Sequence, residues 1–219
     1  MPDTASVHAI PAADGAVPGW FGKMACLGDF AHRRLPPPFV RGCDAWLSGV
    51  LHSSRAALGE EWLATYLTSP LWRFVWAPGV VDGACWCGLL MPSVDKVGRY
   101  FPLLVALPFA PSLSSANGAA GSRVPQAAED FRAMHAWFDT LALAMLDTLK
   151  GGATLDGFEQ ALQCSVELTM PRQSDDVAQR YRGSSLWWAP GEGGRGTAPI
   201  VVAGLPASAM FSAMLQGQG

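Results

Sequence analysis

The stretch from Leu89 to Leu103 constrains this chain more than any other. An apolar run through Leu89, Leu90 and Met91 enters a short segment holding Ser93, Asp95, Lys96 and Arg99, and a second apolar run, Leu103 to Phe109, leaves it. Pro92 and Pro102 bracket the segment. Each removes a backbone donor, so strand pairing is expected to stop at both, leaving a charged turn clamped between two buried strands with its charges outside the core. That placement makes the turn a candidate working surface.

Half of the 219 residues are hydrophobic and only 15% are charged, which excludes general disorder and implies a substantial core. Residues 1–17, rich in Ala, Pro and Asp without periodicity, read as a flexible tail, and 18–219 as one domain. The formal net charge is −3 with no Lys/Arg run, so no nucleic-acid footprint is present and a membrane surface has little to attract. The first eighteen residues hold neither a basic n-region nor an apolar h-region. The most apolar stretch, Tyr100 to Pro111, is short and broken by Pro102 and Pro108. A cytoplasmic chain that is not membrane-embedded is therefore expected. Five scattered cysteines (Cys26, Cys43, Cys85, Cys87 and Cys164) in apolar surroundings read as buried reduced thiols, with no disulfide framework.

Periodicity supplies the elements. Gly19 to Met24 reads as a first strand, closed by a turn at Gly28-Asp29. Pro36, Pro37 and Pro38 set up a helix, since a first-turn proline removes only an amide that has no intrahelical partner. Phe39, Cys43, Trp46, Leu47, Val50, Leu51 and Leu58 then recur at helical spacing to Gly59, and Glu60 to Thr68 forms a second short helix. Leu71 to Ala77 and Ala84 to Met91 pair as an antiparallel hairpin, followed by the strand Leu103 to Phe109. Ser112 to Ser122 is a small-residue linker. Pro125 to Lys150 is the longest helical pattern, with Phe131, Met134, Phe138, Leu141, Met145 and Leu149 as its buried stripe. A helix at Leu155 to Gln163, strands at Val166 to Met170, Leu186 to Trp188 and Ile200 to Val202, and a closing helix at Pro206 to Gln216 follow. Strands interleaved with covering helices predict an α/β layered sandwich, a mixed β-sheet covered by helices.

Motifs of known chemistry fail on context. Gly191 to Gly196 matches G-x-G-x-x-G, but a strand rather than a helix follows, so no helix N-terminus would hold a pyrophosphate. No Walker A, H-E-x-x-H or G-x-S-x-G pattern exists. Cys85 and Cys87 share one face of a strand without a second ligand pair, as structural thiols would. His8 lies in the tail, His32 in a loop, His52 on a polar helix face and His135 beside a buried stripe, none near another at ligand spacing. No cofactor and no metal are implied.

The charged residues remain: Lys23 and Asp29 after the first strand, Arg73 inside an apolar strand, and Asp95, Lys96 and Arg99 in the turn. Asp95 and Arg99 are spaced to pair, and Asp95 can accept local amides. Arg73 needs a carboxylate, with Asp29 and Asp95 as the natural candidates, because an unpaired buried guanidinium is very costly. One reading is a structural network of these groups. The other is a binding site, either a docking surface or an anion site in which Ser93, Lys96 and Arg99 serve a small-ligand sensor or an enzyme.

Gly19-Trp20-Phe21-Gly22-Lys23, Gly28-Asp29-Phe30, Asp44-Ala45-Trp46-Leu47, Ser69-Pro70-Leu71-Trp72-Arg73-Phe74 and the Gly88 to Leu103 stretch together resemble the TagF (ImpM) family of bacterial type VI secretion systems. The resemblance runs from about residue 18 to about 110, and more loosely to Gly204-Leu205-Pro206. It departs at Met24-Ala25-Cys26-Leu27, where family members usually carry Leu-Pro-Ser. The resemblance implies a non-enzymatic cytoplasmic accessory protein that restrains type VI secretion after translation. Its implied partners are secretion components such as a forkhead-associated scaffold, with a functional link to a phosphatase, and it implies no catalytic residue.

Overall fold

The two apolar runs form adjacent central strands. In the computed structural model, which describes residues 16–109, 135–164, 179–190 and 199–218, β4 (Cys85–Met91) ends one residue before Pro92, and β5 (Leu103–Phe109) starts one residue after Pro102. They pair antiparallel, from Cys85 opposite Phe109 to Met91 opposite Leu103. Around them the other strands build a seven-stranded sheet: β1 (Gly19–Gly22), β2 (Ala31–Arg33), β3 (Trp72–Trp76), β6 (Ser184–Trp188) and β7 (Ile200–Ala203), in the order β2-β1-β5-β4-β3-β6-β7. Every strand pair is antiparallel, so the mixing expected within the sheet is confined to an isolated parallel bridge between Ser184 and Gly204.

Helices cover both faces, as the α/β sandwich expectation requires. On one face α3 (His135–Asp147) and α4 (Leu155–Cys164) pack on Cys85, Cys87, Leu89, Met91, Leu103 and Val105. On the other, α1 (Pro37–Leu58), α2 (Trp62–Thr68) and α5 (Ser208–Leu215) pack on Trp86, Leu90, Leu104, Ala106, Phe74 and Trp187. Successive residues of a strand point to opposite faces, and here both faces are buried. That is why β4 and β5 read as continuous apolar runs rather than alternating ones.

Eight of the nine tryptophans are buried, with Trp46 half-buried. Three of their indole N–H groups tie distant elements together. Trp72 donates to the Met214 carbonyl of α5 at 3.2 Å, Trp46 of α1 to the Pro206 carbonyl at 2.9 Å, and Trp20 of β1 to Glu159 of α4 at 2.6 Å. A buried indole usually finds such a partner; Trp76, fully buried, is an exception among the described residues.

Several expectations change. His32 lies in β2, a strand of three residues too short to leave an alternation. Leu149, assigned to a buried stripe, is exposed just beyond the end of α3. Cys164 is exposed and Cys26 half-buried, while Cys43, Cys85 and Cys87 are buried; all five thiols are free. The tail up to residue 15, the Ser112 to Ser122 linker, the helical pattern from Pro125 to residue 134, the Val166 to Met170 strand and the Gly191 to Gly196 motif lie outside the described residues. Among the described residues no helix is long and apolar enough to cross a membrane.

Close packing of the central strands depends on Gly88. A Cβ there would meet the Val105 carbonyl oxygen at 2.0 Å and the Phe74 ring at 2.7 Å. Gly88→Ala is therefore expected to lower the unfolding free energy by roughly 1–3 kcal/mol. Gly49→Ala on the exposed side of α1, where the added Cβ meets nothing within 4 Å, is expected to raise it by up to about 1 kcal/mol. Urea unfolding of the two variants reads both signs.

Candidate functional site

Gly22 starts the site. It closes β1 at φ 136°, and a Cβ there would meet the Pro102 carbonyl oxygen at 2.1 Å, so the missing side chain lets the two backbones approach. Lys23 is thereby placed over the turn between β4 and β5. Its ammonium lies 3.0 Å from Asp95 Oδ2, both side chains almost fully withdrawn from water.

Asp95 is buried rather than outside the core, because the turn folds around its carboxylate. Oδ1 accepts the backbone N–H groups of Val97 at 3.0 Å and Arg99 at 2.9 Å. Oδ2 accepts Arg99 Nε at 2.7 Å besides its pairing with Lys23. A carboxylate accepting local amides in this way replaces a regular backbone turn. Main-chain bonds complete it, with Asp95 N–H to the Arg99 carbonyl at 3.1 Å and Gly98 N–H to the Asp95 carbonyl at 3.0 Å.

The turn is also tied to its neighbours. The Lys96 amide donates to the Leu27 carbonyl at 2.8 Å, and the Arg99 guanidinium to the Gly28 carbonyl at 2.6 Å, which binds the β1–β2 loop. From the other side, the buried Tyr66 hydroxyl of α2 donates to the Ser93 carbonyl and accepts the Ser93 N–H, both at 2.9 Å. Two separate parts of the chain, the segment between β1 and β2 and helix α2, therefore converge on residues 93–99.

Burial alone would raise the Asp95 carboxyl. The Arg99 amide, Lys23, the Arg99 guanidinium and the Val97 amide outweigh it and hold the group well below the usual carboxylate range. At Glu159 burial again raises, while Arg34, Trp20 and Arg33 lower the pKa below normal. Arg34 sits 2.7 Å from Glu159 and donates to the Pro18 carbonyl at 2.9 Å, from a backbone with φ 59°. This second network fastens the start of β1 and the end of β2 to α4. Burial, with a smaller contribution from Asp82, pushes the Cys85 thiol up to about 11. Burial and then Cys85 raise Cys87 as well, so these thiols are poor nucleophiles.

The structure thus brings Lys23, Asp95 and Arg99 together, with Asp29 at the rim, 3.6 Å from Arg99 and largely exposed. Arg73 is not among them. It lies on β3 between Trp72 and Phe74, whose side chains face α1, α2 and α5, so its own points to the opposite face. There it pairs with Asp139 of α3 and stands over the Phe138 ring at 5.7 Å. Asp29 and Asp95 are not its partners. Ser93 is buried, whereas Lys96 and Arg99 are exposed, so the three do not line one open anion cradle.

Tyr66, Glu159 and Phe30 escaped the sequence reading. Tyr66 carries a usable signal, since a tyrosine in a buried helical stripe must find a partner for its hydroxyl. Glu159 was foreshadowed only by the adjacent Arg33 and Arg34, whose need for a carboxylate does not say which one.

Taken as a class, this is a layered α/β domain whose perturbed groups are engaged in internal pairing. The model of the TagF N-terminal domain, type VI secretion system-associated, matches residues 19–165. The chain also resembles the crystal structure of PA0076 from Pseudomonas aeruginosa PAO1, with 34% identity, a TM-score of 0.72, and coverage of 92% of this chain and 95% of that one. A comparison with curated proteins gives no match. The chain belongs to the TagF family, and the Asp95 turn lies inside the matched region.

Two outcomes are expected. Tyr66→Phe leaves the buried Ser93 amide without an acceptor and should cost about 1–3 kcal/mol of stability, read by urea unfolding. Because the Asp95 pKa is lower folded than unfolded, its contribution is present above about pH 4 and fades as pH falls below that value. Asp95→Asn should therefore lower the melting temperature at pH 7, with the difference from the parent narrowing in a scan towards pH 3. A difference independent of pH would contradict the assignment.

Proposed function

We propose that this protein is a non-enzymatic, post-translational repressor of a type VI secretion system that acts in the cytoplasm through protein–protein contacts. The observation that carries this reading is the family match over residues 19–165, which ties the chain to that machinery. The state of the polar groups supports contact rather than chemistry. The Asp95 carboxylate is held ionised and spent on four internal donors, and the Cys43, Cys85 and Cys87 thiols are pushed up by burial. General acid–base or nucleophilic catalysis needs the opposite, a group poised near neutrality or activated within reach of substrate.

The partners on this reading are secretion components, with a forkhead-associated scaffold as the first candidate and a phosphatase as a functional neighbour. A bacterium that encodes this protein and its secretion system provides the test. Deletion is expected to raise the amount of tube or spike protein in the medium while leaving transcript levels unchanged, and re-expression to reverse it. Unchanged secretion on deletion would overturn the proposal.

A further inference from the structure

The corner built by Asp95 also leaves side chains exposed to solvent. Phe30 is 46% exposed, yet its ring is fixed on several sides. It stacks on Phe21 at 6.2 Å, meets Phe101 edge-on at 4.7 Å, and lies under the Lys23 ammonium at 4.7 Å. Val97, at the tip of the turn, is 68% exposed while Asp95 holds its amide. Lys96 between them in the network is exposed, its amide bound to Leu27 and its ammonium in no ion pair among the described residues.

Mobile apolar groups at a surface lose entropy when covered, which offsets what burial gains. Phe30 has already lost much of that freedom, because its ring is held between Phe21, Phe101 and the Lys23 ammonium, and Val97 is carried on a backbone whose amide Asp95 holds. Aromatic side chains held in place and ringed by polar groups are frequent energetic centres of protein interfaces, and Phe30 is the aromatic one here. The charges add a direction. Three cations, Lys23, Lys96 and Arg99, stand against two carboxylates, Asp29 and Asp95, and since Lys23 and Arg99 both contact Asp95 and Arg99 lies near Asp29, Lys96 is the unmatched one.

We propose that the corner of Phe30, Val97 and Lys96 is a docking surface for a partner protein segment that presents an apolar side chain beside a carboxylate. The inference rests on the reading that the protein works by protein contact, and it supplies the surface and the chemistry of the partner. Another exposed apolar pair, Leu143 and Leu146 on α3, lies away from this corner and serves as the comparison.

The test uses the full-length protein against purified components of the secretion system encoded with it, with affinity read by biolayer interferometry. Val97→Asp and Lys96→Glu change exposed side chains and should keep the parent melting temperature. Each is expected to weaken binding of the captured component roughly tenfold or more, with the Lys96→Glu loss shrinking as salt rises. Leu143→Asp is expected to bind within twofold of the parent. Parent-like binding by both corner variants would overturn the proposal, as would loss of binding confined to Leu143→Asp. A parent that self-associates through the corner, with Val97→Asp monomeric on size exclusion, would replace the acidic partner by a second copy and overturn it too. If the unmodified protein binds none of the components, the contact reading of function falls and the docking surface with it.

Discussion

The Lys23–Asp95 ion pair is the interaction on which the rest of this architecture turns. Two charges removed from water cost several kcal/mol each unless geometry and further hydrogen bonds compensate. Here the compensation is dense: two backbone amides, a guanidinium and an ammonium surround one carboxylate. An apolar pair would fill the same space more cheaply, but it could not hold the amides of Val97 and Arg99 or draw Arg99 across to Gly28. Polar burial at this point specifies a shape, the relative position of the β1–β2 loop and the β4–β5 turn.

That shape sits on a rigid base. The central strands are buried on both faces, and the indoles of Trp20 and Trp72 are hydrogen-bonded from the sheet to the helices on its two faces, while Trp46 joins α1 to the start of α5. Local opening in proteins starts where few buried contacts hold the chain, and the Asp95 corner is tied to the sheet by Ser93, Phe101 and Tyr66. A surface presented from such a corner keeps its outline in the free protein. For a member of the TagF family, whose part in secretion we read as contact, a preformed surface favours fast and selective recognition over chemistry.

Legibility followed from how local each signal was. The prolines at 92 and 102 announced where β4 stops and β5 begins, and helical spacing announced α1, because both depend only on neighbours in sequence. The burial of Asp95 was not legible in the same way: its fate depended on Lys23, seventy-two residues earlier, arriving over the turn. Arg73 shows the limit most clearly. Its need for a carboxylate was evident, but the choice of Asp139 over Asp29 or Asp95 required knowing which face of β3 each residue takes and that α3 lies on that face. Within the candidate site, the structure brings Lys23, Asp95 and Arg99 together and leaves out Arg73, which the sequence had joined to them, while Phe30 and Tyr66 were hidden among ordinary apolar positions.

The central claim is that an ionised, buried Asp95 locks the corner. Amide hydrogen exchange at Val97 and Arg99 measures it directly, since both N–H groups donate to Oδ1 of that carboxylate. The account predicts strong protection of both amides at neutral pH in the parent, and its selective loss in Asp95→Asn or Lys23→Met while β4 and β5 stay protected. Exchange of both amides in the parent at the rate of an unstructured peptide would contradict it.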